Sequence, residues 1–105
     1  MTEISRIEML SQFLAENPGD AFARYGLAME YSKAGDAEAA LAEFRKLLKT
    51  YPDYTAGYFM AAQTLARAGR LDEARQMLRD GIASATRTGN QHARMEMEGM
   101  LAELG

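Results

Sequence analysis

A 34-residue period that runs from Pro18 to Ala85 constrains the fold of this chain more than any other feature of its sequence. Identical residues recur at six of the 34 aligned pairs, whereas ordinary composition gives roughly two. The pairs are Pro18/Pro52, Ala28/Ala62, Ala34/Ala68, Gly35/Gly69, Ala40/Ala74 and Arg45/Arg79. Most are small residues, a glycine or a proline, the residue types that helix crossings, turns and helix ends require. A period of this length predicts an array of stacked repeats.

Each period holds two stretches in which apolar residues recur at helical spacing. The predicted helices are 21–33, 36–50, 54–67 and 71–85. Gly35 and Gly69 separate the two helices of each pair, because glycine favours the left-handed conformation that ends a helix. Asp20 is the predicted N-cap of the first pair. Each pair therefore predicts an antiparallel helical hairpin, and Ala28 and Ala40 are small enough to let its helices approach closely.

A further helix is predicted on either side of the two hairpins. Residues 3–16 match the second helix of a hairpin when aligned by the period, as the back half of a repeat whose front half is absent. This helix can cover the open end of the stack. Residues 84–90 form a predicted polar break before a final helix over 91–104. The apolar side chains that share one face are Ile7, Leu10, Phe13 and Leu14 in the first helix and Ala93, Met97, Met100, Leu101 and Leu104 in the last.

The predicted architecture is a single all-α domain of six helices. It comprises an N-terminal capping helix (1–17), a first repeat (18–51), a second repeat (52–85) and a C-terminal capping helix (90–104). Gly57 and Gly81 fall inside helices, where each glycine costs about 1 kcal/mol relative to alanine. We therefore expect a neighbouring helix to pack closely against each of them.

The composition supports a packed domain and disfavours several functions. The chain has 105 residues, 48% of them hydrophobic, and no cysteine, so a modest core forms without disulfides or cysteine-ligated zinc. Its net charge of −3 disfavours nucleic acid as a partner, since nucleic-acid binders carry a basic surplus. The sequence has no run of about 18 apolar residues and no signal-peptide pattern. We therefore predict a cytoplasmic protein that binds neither nucleic acid nor membranes.

Residues suited to catalysis or metal binding are few. His92 is the single histidine and has no cysteine with which to form a metal site, and a solvated helix explains the nearby Glu96 and Glu98 equally well. Ser32 and Ser84 lack the strained turn of a catalytic nucleophile. The sequence therefore predicts no enzymatic activity and no cofactor.

One basic concentration runs through the second half of the chain. It consists of Arg67, Arg70, Arg75, Arg79 and Arg87. We interpret it as a solvated outer surface whose charge is relieved by Asp72, Glu73 and Asp80, and contact with an acidic peptide segment is the alternative. No aromatic side chain interleaves with these arginines, as single-stranded nucleic acid would require.

The residues shared by the two periods resemble the tetratricopeptide repeat family. Leu27-Ala28, Tyr31, Ala40, Phe44 and Pro52 stand where that family has Leu-Gly, Tyr, Ala, Phe and Pro, and Ala61-Ala62, Leu65, Ala74 and Leu78 hold the same places in the second period. Arg24 departs from the pattern at a Trp position, Gly81 at an Ala or Leu position and Thr86 at a Pro position. The resemblance implies a right-handed solenoid of helical hairpins that binds proteins or peptides without chemistry of its own.

The resemblance also implies that the first helix of each hairpin lines a concave groove. The residues it places there are Phe22, Tyr25, Gly26, Met29 and Lys33 from the first repeat and Ala56, Phe59, Met60, Gln63 and Arg67 from the second. Chaperone-binding members clamp a peptide carboxylate with Lys and Asn at several of these positions. Since this chain has Tyr25, Met29, Phe59 and Gln63 instead, we expect a groove for an apolar stripe on a helix or extended peptide.

The sequence leaves open what occupies this groove. A peptide or protein partner is the first interpretation, with Tyr25, Met29, Phe59, Met60 and Gln63 as leading contacts. Alternatively, the terminal helices fill the groove, with Met97 and Met100 packed against Phe59 and Met60, or a second copy of the chain covers it. The predicted function is thus a non-catalytic binding scaffold, and a homodimeric assembly subunit is the alternative.

Overall fold

The computed structural model describes residues 5–105, and these residues form helices joined by short turns, without strands. The six helices are α1 (Arg6–Glu16), α2 (Ala21–Lys33), α3 (Ala37–Thr50), α4 (Thr55–Arg67), α5 (Leu71–Thr88) and α6 (Gln91–Leu104). The predicted all-α fold of six helices is therefore confirmed. The predicted start of the first helix, Glu3, lies outside the described residues. Among the described residues, α1 begins at Arg6 after its N-cap Ser5.

Caps and glycine turns set the helix boundaries. The side chains of Asp20, Asp36 and Asn90 each accept a hydrogen bond from the backbone N–H three residues later, which satisfies a donor that the helix leaves unpaired. Gly35 and Gly69 follow α2 and α4 with φ of 82° and 78°, a conformation that favours glycine. The start and the end of α4 each lie one period after those of α2, although Tyr54, the N-cap of α4, makes no side-chain capping hydrogen bond.

The end of α5 differs from the prediction. The helix continues past residue 85 to Thr88 and ends at Gly89, which has a φ of 69°. The sequence has Thr86 where a proline would stop the helix, so the backbone continues for almost one more turn. The predicted polar break at 84–90 is therefore wrong over 84–88, and Ser84 is fully buried.

The helices stack in chain order rather than closing into a bundle. Each helix packs mainly against its sequence neighbours, and the molecule extends over 48 × 28 × 19 Å. Three clusters of buried residues follow one another along the stack. They are Leu14, Ala23 and Leu27; then Ala28, Ala40, Leu41, Phe44, Ala61, Leu65 and Ala74; and finally Tyr58, Ala62, Leu78, Ala85 and Met97.

The two helix-internal glycines lie where helices approach closely. A Cβ atom at Gly57 would lie 3.1 Å from a methyl carbon of Leu48, and one at Gly81 would lie 2.6 Å from the Cβ atom of Tyr58. The expected close packing is present at both positions. Arg24, at the Trp position of the first repeat, instead pairs with Glu43 at 2.6 Å, and both side chains are largely buried.

None of the helices within residues 5–105 combines the length and the apolar character that crossing a membrane requires.

Candidate functional site

The residues predicted for one concave groove do not lie together. Phe22, Tyr25 and Met29 lie beside α1, and Phe59 and Gln63 lie beside α6. Met60 packs against the central core cluster, and Arg67 lies next to Ser32 of α2, while Lys33 is exposed. The helices therefore form two separate grooves, one between α1 and α2 and one between α4 and α6.

The groove between α1 and α2, here called the α1–α2 groove, has a volume of about 450 Å³. The residues that line it are Arg6, Leu10, Phe13, Asp20, Phe22, Ala23, Tyr25, Gly26, Met29 and Glu30. Phe22 is 76% exposed and Phe13 45% exposed, and Met9 of the same helix as Phe13 is 50% exposed. Because large apolar side chains are usually covered, this concentration marks a surface suited to contact.

Arg6, Leu10 and Phe13 were not among the residues that the sequence predicted for the site. The sequence analysis assigned α1 to covering the end of the stack, and Leu14 of α1 is indeed buried. The width of the apolar surface of α1 could have predicted the groove from the sequence. Met9 lies four residues before Phe13, as side chains on one face of a helix do, and it widens the apolar face that Phe13 shares with Leu14.

The charges of the α1–α2 groove are paired at one end. Arg6 Nε lies 3.4 Å from Glu30 Oε2, and Lys33 Nζ lies 3.5 Å from the same oxygen. At the other end, Asp20 Oδ1 accepts the hydrogen bond from Ala23 N that caps α2. The apolar section between Asp20 and Glu30 is therefore bordered by carboxylates at both ends.

Tyr25 belongs both to the groove and to the core. Its ring forms a T-shaped pair with that of Phe44 at a centroid distance of 6.4 Å, and its centroid lies 5.4 Å from that of the Tyr54 ring. Burial raises the pKa of the Tyr25 phenol, and the neighbouring Tyr54 raises it further. Tyr25 therefore stays neutral at physiological pH and connects the lining of the groove to the core.

The second groove lies between α4 and α6 and has a volume of about 400 Å³. It is lined by Phe59, Gln63, Met95, Glu96, Gly99, Met100 and Glu103. Met97 does not line it but is fully buried in the core cluster with Tyr58. The final helix thus covers part of the surface that the second repeat was predicted to offer, and the groove has an acidic rim of two glutamates.

Hydrogen bonds join α2 to α4 at the far end of the predicted concave face. The hydroxyl groups of Ser32 and Thr64 lie 2.9 Å apart, and Arg67 donates to Ser32 Oγ at 2.9 Å. Thr64 also donates to the carbonyl of Met60. Arg67 is thereby committed to an internal contact.

Most side chains of the arginine concentration form ion pairs or hydrogen bonds within the chain. Arg70 pairs with Glu38 and Glu73, and this hydrogen bonding lowers the pKa of the Glu73 carboxyl. Arg87 lies 2.7 Å from Asp53, and Arg75 donates to the carbonyls of Leu104 and Gly105 as well as pairing with Asp72. These contacts favour the interpretation as a solvated surface over an anion-binding site.

His92 is 88% exposed at its side chain and lies 3.0 Å from Glu96. Within residues 5–105, no group of three or more His, Cys, Asp or Glu side chains is placed to hold a metal ion.

The stack of 34-residue helical hairpins, with small residues at its crossings and exposed grooves on its surface, defines a helical-repeat interaction module. The comparisons with known proteins specify the family. The sequence model of the Tetratricopeptide repeat matches residues 31–95. A TPR repeat-containing protein of Pseudomonas aeruginosa is 36% identical over 98 residues, which cover 93% of each chain. This chain belongs to the tetratricopeptide repeat family.

Solved structures agree with this assignment. The solution structure of a tetratricopeptide repeat domain protein from Salinibacter ruber is 34% identical and superposes with a TM-score of 0.78, covering 83% of this chain and 88% of that one. The solution structure of a protein from Bordetella parapertussis is 29% identical with a TM-score of 0.82, covering 99% of this chain and 89% of that one. Family membership supports a role in protein interaction.

Proposed function

We propose that this chain is a non-catalytic binding module that takes an apolar segment of a partner protein into the α1–α2 groove. The observation that carries the proposal is the exposure of Phe13 and Phe22, both of which line a groove of about 450 Å³. The residues that we expect to contact the partner are Phe22, Tyr25 and Met29, as predicted from the sequence, together with Leu10 and Phe13.

The groove between α4 and α6 is a weaker candidate for the same role. Phe59 and Gln63 are half-buried beside α6, and Met60 packs against the central core cluster. In the α1–α2 groove, by contrast, covering one exposed phenylalanine contributes about 1.5–3 kcal/mol before the costs of association. Two phenylalanines and a methionine then support micromolar affinity for a single short segment.

The test is capture of partners from a lysate of the native host by three immobilised forms of the chain. Phe13→Gln combined with Phe22→Gln removes the apolar surface while keeping helix-compatible residues. Leu71→Gln combined with Met95→Gln removes two exposed apolar side chains outside the groove and serves as the matched control. We expect the first pair to abolish capture and the second to leave it unchanged.

Circular dichroism of both double variants should match the parent chain, since all four side chains are exposed. Capture that survives Phe13→Gln with Phe22→Gln would contradict the assignment to the α1–α2 groove. Capture lost only on Met95→Gln with Leu71→Gln would move the site toward α6.

Self-association through the same exposed side chains is the alternative function. Phe13 and Phe22 on two copies of the chain would then cover each other. Sedimentation equilibrium from about 1 µM to 1 mM separates the two functions, because a groove that serves a different protein leaves the chain monomeric over that range.

A further inference from the structure

The α1–α2 groove has an internal counterpart one period later in the chain. Its walls are α1 and α2, and the corresponding elements of the next period are α3 and α4. The counterpart is therefore the space between α3 and α4. In this structure a helix, α2, fills that space.

Three side chains of α2 pack against or hydrogen-bond to α3 and α4 and hold α2 between them. The rings of Tyr25 and Phe44 form a T-shaped pair with a centroid distance of 6.4 Å. Ala28, three residues later, is fully buried and lets the helix axes approach. Ser32, seven residues after Tyr25, lies 2.9 Å from the hydroxyl of Thr64. This face of α2, here called the seated face, thus carries an aromatic anchor at position i, a small residue at i+3 and a hydroxyl group at i+7.

The α1–α2 groove offers matching positions. Leu10 stands one period before Phe44, and Glu30 stands one period before Thr64, and both line the groove. Because leucine is smaller than phenylalanine, the α1–α2 groove leaves more room for an anchor side chain than the space between α3 and α4 does. Because a carboxylate accepts hydrogen bonds but does not donate them, the residue opposite Glu30 has to be a donor.

We propose that the α1–α2 groove receives an amphipathic α-helix of a partner protein, seated as α2 is seated between α3 and α4. This inference rests on the proposed function of the groove. The partner helix runs antiparallel to α1 and in the same sense as α2. It carries a large aromatic or aliphatic anchor at i, a small residue at i+3 and a hydrogen-bond donor at i+7 facing Glu30.

The two ends of the stack differ in a way that supports this proposal. A helical solenoid requires a polar outer face at each end. In α6, Arg94 Nε lies 3.5 Å from Glu98 Oε1, and Met95 is the one large apolar side chain that is exposed. In α1 two such side chains are exposed, Met9 at 50% and Phe13 at 45%. The stack therefore continues most favourably at α1, where an added helix extends the interface between α1 and α2.

The probe for this proposal is a peptide of residues 20–34 of this chain, the segment that occupies the counterpart groove. A covalent cross-link between positions 23 and 27 holds it helical, because a free helix of this length is marginal in water. In the chain, Ala23 and Leu27 pack toward α1, so the cross-link leaves the seated face intact. Fluorescence anisotropy measures its binding to the full chain, with an expected Kd of about 10–100 µM.

Three variants test where the peptide binds. The same cross-linked peptide with Tyr25→Asp and Ala28→Asp should bind at least tenfold more weakly, since the carboxylates meet an apolar wall. The chain with Phe13→Gln and Phe22→Gln should also bind the parent peptide at least tenfold more weakly. The chain with Leu71→Gln and Met95→Gln should bind it as the unaltered chain does.

Several outcomes would overturn the proposal. One is a cross-linked peptide that binds no better than its aspartate control. Equal binding by a linear peptide with Ala28→Pro, which cannot form the helix, would identify an extended segment as the occupant. Dimerisation of the chain alone, tighter than peptide binding and lost with Phe13→Gln and Phe22→Gln, would identify a second copy. If lysate capture depends on Phe13 and Phe22 but the helical peptide does not bind, the proposed function stands and the helical occupant is rejected.

Discussion

Gly81 shows how the absence of one side chain sets the distance between three helices. The glycine lies in the middle of α5, and a Cβ atom there would lie 2.5 Å from Met97 Sδ and 2.6 Å from Tyr58 Cβ. Methionine adjusts easily, but the Cβ atom of Tyr58 moves only with the backbone of α4. By contrast, Gly99 in α6 has no atom within 4 Å of the corresponding position.

These two glycines predict opposite effects of the same substitution. Gly81→Ala should lower the free energy of unfolding by about 1–3 kcal/mol, because overpacking exceeds the gain in helix propensity. Gly99→Ala should raise it by about 0.5–1 kcal/mol, because only the propensity term acts. Urea denaturation of both variants measures the difference. Stabilisation by Gly81→Ala would show that α4 and α6 are not in firm contact with α5.

At the scale of one element, the last turn of α5 holds a polar network against the start of α4. Ser84 Oγ lies 3.0 Å from Thr55 Oγ1 and 3.3 Å from Asp53 Oδ1, and both hydroxyl-bearing residues are buried. Arg87 donates to the same aspartate oxygen from two of its nitrogens. The network depends on α5 remaining helical beyond residue 85, so that Ser84 and Arg87 lie on one face.

Thr86→Pro should end α5 early and release this network. Proline removes a backbone donor and clashes with the carbonyl of Ile82, at a cost of about 3 kcal/mol. Thr86→Ala is the control, since residue 86 is exposed and alanine favours a helix. We expect urea denaturation to show the loss for proline alone, with a small fall in helical circular dichroism. A proline variant as stable as the alanine variant would indicate that the extra turn contributes nothing.

At the scale of the whole molecule, stability is distributed unevenly along the stack. In α4, seven residues are buried, and the helix packs against α3 and α5 as well as touching α2 and α6. In α1, Leu14 is the single buried residue, and α2 is the helix against which α1 packs. In a linear array each unit depends on its nearest neighbours, so the terminal helix opens most easily.

Native-state hydrogen exchange should therefore show a gradient along the chain. Amides of α1 should exchange through local opening at least tenfold faster than amides of α4, whose exchange should require global unfolding. The helical peptide of residues 20–34 should slow exchange in α1 when it is bound in the α1–α2 groove. Equal protection of α1 and α4 in the free chain would show that the stack unfolds as one unit.

Most of the fold follows from local signals in the sequence. The period, the aspartate caps and Gly35 and Gly69 specify where α2, α3 and α4 begin and end to within one residue. These signals act over a few residues, so they can be identified without knowledge of the tertiary structure. The end of α5 was missed because Ser84 and Thr88 are polar and suggested a loop. In the structure Ser84 is paired with Thr55, which lies 29 residues away in the sequence.

The sequence by itself determined that this chain forms stacked helical hairpins, and that α2 and α4 carry aromatic and methionine side chains. Only the tertiary structure decided that these side chains divide between two grooves. The extra turn of α5 makes α6 begin later than one full period after α4, and α6 then packs beside Phe59 while Phe22 remains exposed. The physical reason is that exposure depends on which helices cover a side chain, and this is fixed by packing between distant segments rather than by local spacing.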